Sequence, residues 1–347
     1  MSNPVLIINE GCSDNLGDQA INNSLQLILS ELGYTNLYHQ DFTKIITAPI
    51  SLATPKNNHH KYWRDFIYMI IPSKIIWLFR NILRIKKASS KKYKFVVIGG
   101  GQLVLSNKYF AIAMASWVLC LRFFGNNKIL LFGVGCGSRF KFLDKYLFRY
   151  ALKNFSDIYV RDTASRDILK NNFHLFAHVV SDVAFWQTKI TVHNIKKGLL
   201  LGVVDFHVYK IYNVENISRE QYFEKWITLV EKSGYLLVDA KLFYTTIADK
   251  LESIKFQRYV LQTRHITLPI IYTDNIDKLI HAIIKSDVMI AGRMHALIFA
   301  LIYDTEWICF ELSDKLRKFV KDYSTLFDLD VLQNKLKQQL LQAIKLL

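Results

Sequence analysis

Short continuous apolar runs alternate along this chain with stretches in which apolar residues recur every three or four positions. Residues 5–9, 95–98, 128–132, 158–160 and 177–180 are too short for helices and too uniformly apolar for half-exposed strands, which predicts strands of a parallel sheet covered on both faces. Each run is followed by a polar or glycine-rich turn: Gly11-Cys-Ser-Asp-Asn-Leu-Gly-Asp18, Gly99-Gly-Gly-Gln-Leu103, Gly133-Val-Gly-Cys-Gly137, Arg161-Asp-Thr-Ala-Ser165 and Ser181-Asp-Val-Ala-Phe185. Crossover helices gather such turns at the carboxyl edge of the sheet, where open α/β folds bind ligands. A polar stretch at 187–197 reads as a linker. A second series then begins, with strands predicted at 198–204, 235–239, 269–272, 288–291 and 307–310 and helices at 219–232, 277–285 and 296–303. The expected architecture is α/β, with two Rossmann-like domains, 1–190 and 198–347, whose parallel sheets face each other across a cleft. No low-complexity tract or short-period repeat interrupts it.

Composition fits two domains, since 347 residues at 51% apolar content supply ample core. Charge changes the picture more. The formal net charge is +16, and residues 56–94 alone carry eleven Lys or Arg against one acidic residue, Asp65. The same stretch holds Tyr62, Trp63, Phe66, Tyr68, Trp77, Phe79 and Tyr93. Ile75, Ile76, Phe79, Ile82 and Leu83 recur at helical spacing, with Lys74, Arg80, Arg84, Lys86 and Lys87 beside them, which describes a basic amphipathic helix within an insertion at about 50–94. Two readings stand: peripheral contact with an anionic membrane surface through 56–94, or a helix packed on its own domain with a solvated basic face. Pro72, Lys74 and Arg122 break the apolar runs before they reach the ~18 residues that a membrane span needs. Nucleic acid is not expected as a partner, because no recognition-helix, RNP or zinc-finger pattern accompanies the charge. Cys12, Cys120, Cys136 and Cys309 are scattered, without metal or disulfide spacing, which suits a reducing cytoplasm. No basic n-region precedes the first strand.

The segment Asp287-Val-Met-Ile-Ala-Gly-Arg-Met-His-Ala-Leu-Ile-Phe-Ala300 sets Arg293 and His295 inside an apolar run, at the predicted turn from a strand into a helix over 294–302. Helix N-termini present unpaired N–H groups and partial positive charge; an arginine adds a fork for carboxylate or phosphate, and a histidine a proton-transfer group near neutral pH. The alternative is a buried arginine paired with a structural carboxylate beside a core histidine. Other motifs are weaker alone. Gly99-Gly-Gly101 lets a ligand approach the backbone, but neither Gly-x-Gly-x-x-Gly nor a Walker sequence occurs. Asp18 is either the N-cap of a helix over 19–32 ended by Gly33 or a catalytic carboxylate, and Asp162 and Ser165 also read as capping groups. Asp328-Leu-Asp330 is read as a coincidental Asp-x-Asp, and no His/Asp/Glu cluster suggests a metal.

Taken in order, these motifs resemble the polysaccharide pyruvyl transferase family over most of the chain. The resemblance rests on Asn15-Leu-Gly-Asp-Gln-Ala20, Val97-Ile-Gly-Gly-Gly-Gln102, the Gly133 to Gly137 turn, Arg161-Asp-x-x-Ser165, Ser181-Asp182 and Arg293-Met-His-Ala296. It implies a GT-B-like fold, phosphoenolpyruvate as donor substrate with no further cofactor, and as acceptor a sugar of a cell-surface polysaccharide or its lipid-linked precursor. It places Arg161, Arg293 and His295 at the donor site, with Gly100, Gly101, Gln102, Gly135 and Lys315 as further donor-binding positions and Asn15 and Asp18 on the acceptor side. Asp304-Thr-Glu-Trp307 departs from the Gly/Pro turn expected there, and residues 50–94 have no counterpart.

Phosphoenolpyruvate carries a carboxylate and a phosphate on three carbons, so its site needs fixed positive groups, which Arg161 and Arg293 supply. Ketal formation needs proton transfer, for which His295 and Asp18 are the candidates, with the division of acid and base roles open. The rival reading is a GT-B glycosyltransferase using a nucleotide sugar. A third is a non-enzymatic module that binds polysaccharide or a lipid surface. The expected location is cytoplasmic, peripheral on the inner face of the cytoplasmic membrane.

Overall fold

A computed structural model describes residues 4–44, 72–189, 197–213, 215–324 and 327–347. The apolar runs form the strands of two all-parallel sheets. In the first, β1 (Val5–Asn9), β3 (Phe95–Gly99) and β4 (Ile129–Val134) are buried along their whole length, as central parallel strands must be when helices cover both faces. The order is β2-β1-β3-β4-β5-β6, with β5 at Asp157–Val160 and β6 at His178–Val179. Strand β2 (Leu37–Asp41) was not expected: Leu-Tyr-His-Gln-Asp lacks an apolar run because it is an edge strand, half-covered, pairing Val5 with Leu37. The chain leaves β1 for β2 on one side and returns to β3 on the other, so the switch of direction lies between β1 and β3.

Helix α1 (Leu16–Glu31) begins earlier than the sequence predicts. Its cap is Asn15, whose Oδ1 accepts from the Gly17 N–H at 3.0 Å, so Asp18 lies within the first turn instead of preceding the helix. Helix α2 (Ser73–Ser89) packs on its own domain through Trp77, Asn81, Ile85 and Ala88. The Trp77 indole donates to the Thr43 carbonyl at 2.9 Å, which fixes that face inward and leaves Ile75, Phe79 and Leu83 exposed. The part of the basic insertion before residue 72 lies outside the described residues. Helices α3 (Phe110–Phe123), α4 (Phe142–Leu152) and α5 (Thr163–Phe173) complete the crossovers, and Trp117, Phe148, Leu169 and Phe173 join the sheet in one core.

The second sheet has the order β10-β9-β7-β8, with β7 at Leu199–Gly202, β8 at Ala240–Leu242, β9 at Val288–Ala291 and β10 at Glu306–Cys309. Two predicted strands move. Residues 237–239 form a 3-10 turn ahead of β8, and 269–272 contribute one bridge, Leu242 to Ile270, because Pro269 breaks the run. Helices α6 (Phe206–Tyr212), α7 (Arg219–Lys232), α8 (Ile247–Arg264), α9 (Ile276–Ile284), α10 (Met294–Ile302) and α11 (Asp314–Tyr323) follow. Ser218 and Gln221 form a reciprocal capping box at the start of α7.

The chain changes unit at Trp186/Gln187, but the expected boundaries of 1–190 and 198–347 miss two exchanges. Asp14–Ala20 belongs to the second unit, and Leu332–Leu347 to the first. The last helix, α12 (Leu329–Lys345), binds there through Gln333 to the Phe185 carbonyl at 2.8 Å, Gln339 to the Val179 carbonyl at 3.1 Å and Lys337 to Glu31 at 2.9 Å. Amphipathic spacing reveals such a helix but not which sheet it covers.

Candidate active site

Three strand-end loops of the second unit meet on one carboxylate. Asp249 lies in the first turn of α8, where its N–H donates to the hydroxyl of the cap Thr246 at 3.1 Å. Its side chain, 2% exposed, accepts from Arg293 Nε at 3.0 Å and Nη2 at 2.7 Å, from the Asp205 N–H at 2.9 Å and from the Thr245 hydroxyl at 3.2 Å. Asp205 follows β7, Thr245 follows β8 and Arg293 follows β9. One carboxylate therefore ties together the loops that flank the switch point between β7 and β9. Burial works against the charge on Arg293, but Asp249 outweighs it and holds the guanidinium above its ordinary pKa. The bidentate pair uses two of the five guanidinium N–H groups, and 29% of the Arg293 side chain stays exposed.

Arg293 is the N-cap position of α10 and makes no side-chain cap, so the helix start is left to other partners, and His295 stands in its first turn. The turn Asp14–Ala20 docks beside it. Asp14 accepts from the Ile247 N–H at 3.0 Å, the Leu16 N–H donates to the Thr245 carbonyl at 3.0 Å, and Asn15 Nδ2 donates to Asp18 at 3.0 Å. Gly17 lies flat against the His295 ring: a Cβ there would overlap Nδ1 and Cγ and stand 2.9 Å from the histidine Cβ. Asn15, Gly17, Asp18, Arg293 and His295 are thus assembled within one unit. Gly17→Ala tests this contact. At an open helix position alanine stabilises by roughly 0.5–1 kcal/mol; here overlap with the ring is expected to win, lowering stability by about 1–3 kcal/mol in urea unfolding. An unchanged or raised midpoint would sink this account of the contact.

Apart from Lys315, the remaining expected positions lie in the first unit. Gly100 and Gly101 have φ of +73° and +71°, which favours glycine, and a Cβ on Gly100 would overlap Ile21. Their turn is joined to the one after β4: the Gly135 N–H donates to the Gly101 carbonyl at 2.8 Å and Gln102 Nε2 to the Cys136 carbonyl at 3.2 Å. Arg161 is buried, donates to Asp182 at 3.0 Å and lies against Gly135, where a Cβ would come within 2.7 Å of Nε. Asp162 caps α5, while Ser165 accepts from the buried Cys136 N–H at 2.8 Å and so links two loops. Lys315 is exposed in the first turn of α11, in the second unit. Asp328 accepts from the Val331 N–H at 3.0 Å at the start of α12. Among the described residues no group of three or more His, Cys, Asp or Glu is placed to hold a metal.

The model of one family, polysaccharide pyruvyl transferase, matches residues 15–314, from the capping asparagine of α1 to the start of α11. The chain belongs to the polysaccharide pyruvyl transferase family. No curated protein matches it significantly in sequence. Solved structures similar to this family member include the UDP-GlcNAc 2-epimerase of Methanocaldococcus jannaschii in complex with UDP-GlcNAc and UDP, at 11% identity and a TM-score of 0.53, covering 99% of this chain and 92% of that one. A putative UDP-N-acetylglucosamine 2-epimerase of Listeria monocytogenes has 11% identity and a TM-score of 0.54, over 99% and 88% of the two chains. The Neisseria meningitidis enzyme bound to UDP-GlcNAc has 9% identity and a TM-score of 0.53, over 100% and 94%. At such identities the likeness concerns fold, and it establishes the GT-B class for this pyruvyl transferase family member.

Asp249, Asp205, Thr245 and Asp14 escape a reading of the sequence. Thr246-Ile-Ala-Asp249 does carry a signal, but it is that of a helix start. Nothing in it indicates that the carboxylate receives an arginine 44 positions later.

Proposed function

We propose that the protein transfers a pyruvyl group from phosphoenolpyruvate to a sugar of a cell-surface polysaccharide or its lipid-linked precursor, forming a cyclic ketal and releasing phosphate. The observation that carries this reading is the docking of the Asn15–Asp18 turn on His295, at the start of α10, beside the Asp249-held Arg293. It joins a proton-transfer group, a carboxylate, a helix N-terminus and a guanidinium in one place. The three-carbon donor presents two anionic groups, which suit the N–H groups of the α10 start and the Arg293 donors that Asp249 does not use.

In the reaction the donor methylene carbon gains a proton and becomes the ketal methyl. One sugar hydroxyl adds to the central carbon, phosphate leaves, and a second hydroxyl closes the ring. Of the two hydroxyl protons, one balances the methyl group and the other leaves with phosphate. His295 is assigned the proton transfer on the donor, and Asp18, oriented by Asn15, the acceptor hydroxyl. Arg293 and the helix start stabilise the departing phosphate.

Similar structures hold UDP-GlcNAc, which makes a nucleotide sugar the competing donor. A thermal-shift titration with phosphoenolpyruvate, phosphate, pyruvate and a panel of nucleotide sugars separates the two. Phosphoenolpyruvate at about 100 times its Kd is expected to stabilise the fold by about 2.7 kcal/mol. A saturable shift with a nucleotide sugar and none with phosphoenolpyruvate would replace pyruvyl transfer by glycosyl transfer.

A further inference from the structure

Helices α2, α3 and α4 lie side by side on one face of the first sheet, α2 packing on α3 and α3 on α4. Their outward side is unusually apolar for a surface. Phe79 is 75% exposed, Phe123 79% and Phe142 92%, and Ile75, Leu83, Leu119, Leu143 and Tyr146 are exposed with them. Several contacts show that these side chains form one surface. Lys74 of α2 pairs with Asp144 of α4, which brings Ile75 and Phe79 to the same end as Phe142 and Leu143. At the other end Lys92, just beyond α2, donates to the Phe124 carbonyl at the close of α3, which brings Leu83 towards Leu119 and Phe123. Arg122 donates to the Asn154 carbonyl at 3.3 Å, joining the ends of α3 and α4.

The charge on this surface has one sign. Helix α2 contributes Lys74, Arg80, Lys86 and Lys87, α3 Arg122, and α4 Lys145 and Arg149, while the guanidinium of Arg84 turns inward to the Asp41 carbonyl. Asp144 is the one acidic residue in the three helices, and it is buried against Lys74.

We propose that the α2–α3–α4 face is a peripheral docking surface for an anionic lipid bilayer. Phenylalanine and leucine side chains enter the acyl boundary, while lysines and arginines reach the lipid phosphates along their aliphatic stems. This goes beyond the proposed reaction and does not depend on it. It also differs from the sequence expectation, which confined the contact to 56–94. Residues 119–153 supply half of the surface, and no helix among the described residues is long and apolar enough to cross a membrane. Charge complementarity decides the occupant. A second copy docked isologously would oppose the same lysines and arginines to one another, and nucleic acid offers the exposed phenylalanines no hydrocarbon to enter. The strands' carboxyl edge lies at the amino end of these helices, so Ile75, Phe79, Phe142 and Leu143 mark the side of the surface nearest the first unit's ligand-binding edge.

The test is co-sedimentation of the whole protein with vesicles of equal parts phosphatidylglycerol and phosphatidylcholine, beside vesicles of phosphatidylcholine alone, with melting temperature as the control for folding. Binding to the anionic vesicles is expected, weakened by salt. Phe79→Ser/Phe123→Ser/Phe142→Ser is expected to lower vesicle affinity by about tenfold or more, and Lys86→Ala/Lys87→Ala by about 25-fold. Lys232→Ala/Lys241→Ala, which removes the same charge from exposed positions of the second unit, is expected to leave binding unchanged. The proposal is overturned if the protein stays out of the anionic pellet, if the second-unit pair weakens binding as much as Lys86/Lys87, or if the triple phenylalanine variant, folded, pellets like the parent.

Discussion

Replacing His295 by alanine is expected to lower pyruvyl transfer by about 10²–10⁴-fold, the range that a positioned proton-transfer group contributes, while the thermal shift with phosphoenolpyruvate survives. The two readouts separate chemistry from binding. His295 stands in the first turn of α10 against Gly17, and the pair between its neighbour Arg293 and Asp249 is made without the imidazole. The proposed anion-binding start of the helix is therefore expected to persist in the variant. Full turnover by His295→Ala would remove the histidine from the chemistry. Loss of both turnover and the donor-induced shift, with an unchanged melting temperature, would make it a binding group instead. Phosphate release from phosphoenolpyruvate, with acceptor present, is the direct assay.

The largest effect on stability is expected at Asp249. Asp249→Ala should cost about 3–5 kcal/mol in urea unfolding, because removing one partner of a buried ion pair leaves the other charge uncompensated. The Asp205 N–H and the Thr245 hydroxyl lose their acceptor at the same time. Since Asp249 joins the loops after β7, β8 and β9, the loss should also loosen the Asp14–Ala20 turn, whose Leu16 N–H is bonded to the Thr245 carbonyl. A double-mutant cycle with Arg293→Ala isolates the pair: the double variant should cost less than the two single costs combined, by about 1–3 kcal/mol. Additive costs, or a single-variant cost below about 1 kcal/mol, would show that the carboxylate does not organise the loops.

Both of the readings that the sequence left open for Arg293 describe part of its environment. It is a partly buried arginine paired with a structural carboxylate, and it also stands at a helix start beside His295. The pairing alters the electrostatics of the proposed site, since much of the guanidinium charge is met by Asp249 and the anion depends more on backbone N–H groups. Arg161 tells a similar story in the first unit, where Asp182 receives its guanidinium and Gly135 makes room for it. Helix α2 shows the reverse case. Its basic amphipathic character was legible, but its periodicity suits more than one inward face, and the Trp77 bond to the Thr43 carbonyl selects between them.

What the sequence determined by itself is whatever depends on local or periodic physics. Continuous apolar runs specify buried parallel strands, so β1, β3, β4 and β9 stand where they were expected. Capping residues specify helix starts, and motif spacing places the Asn15–Asp18 turn and the Arg293–His295 pair in the pattern of the polysaccharide pyruvyl transferase family. The tertiary structure alone decided what depends on partners distant in the chain. It made a strand of the polar Leu37–Asp41 by pairing it at a sheet edge, returned α12 to the first unit, and set Asp249 under Arg293. It also gathered the exposed apolar and basic residues of three helices into one face. Hydrogen bonds and ion pairs leave no periodic mark along a chain. Their geometry exists only once the loops that carry them have been brought to the same end of a sheet.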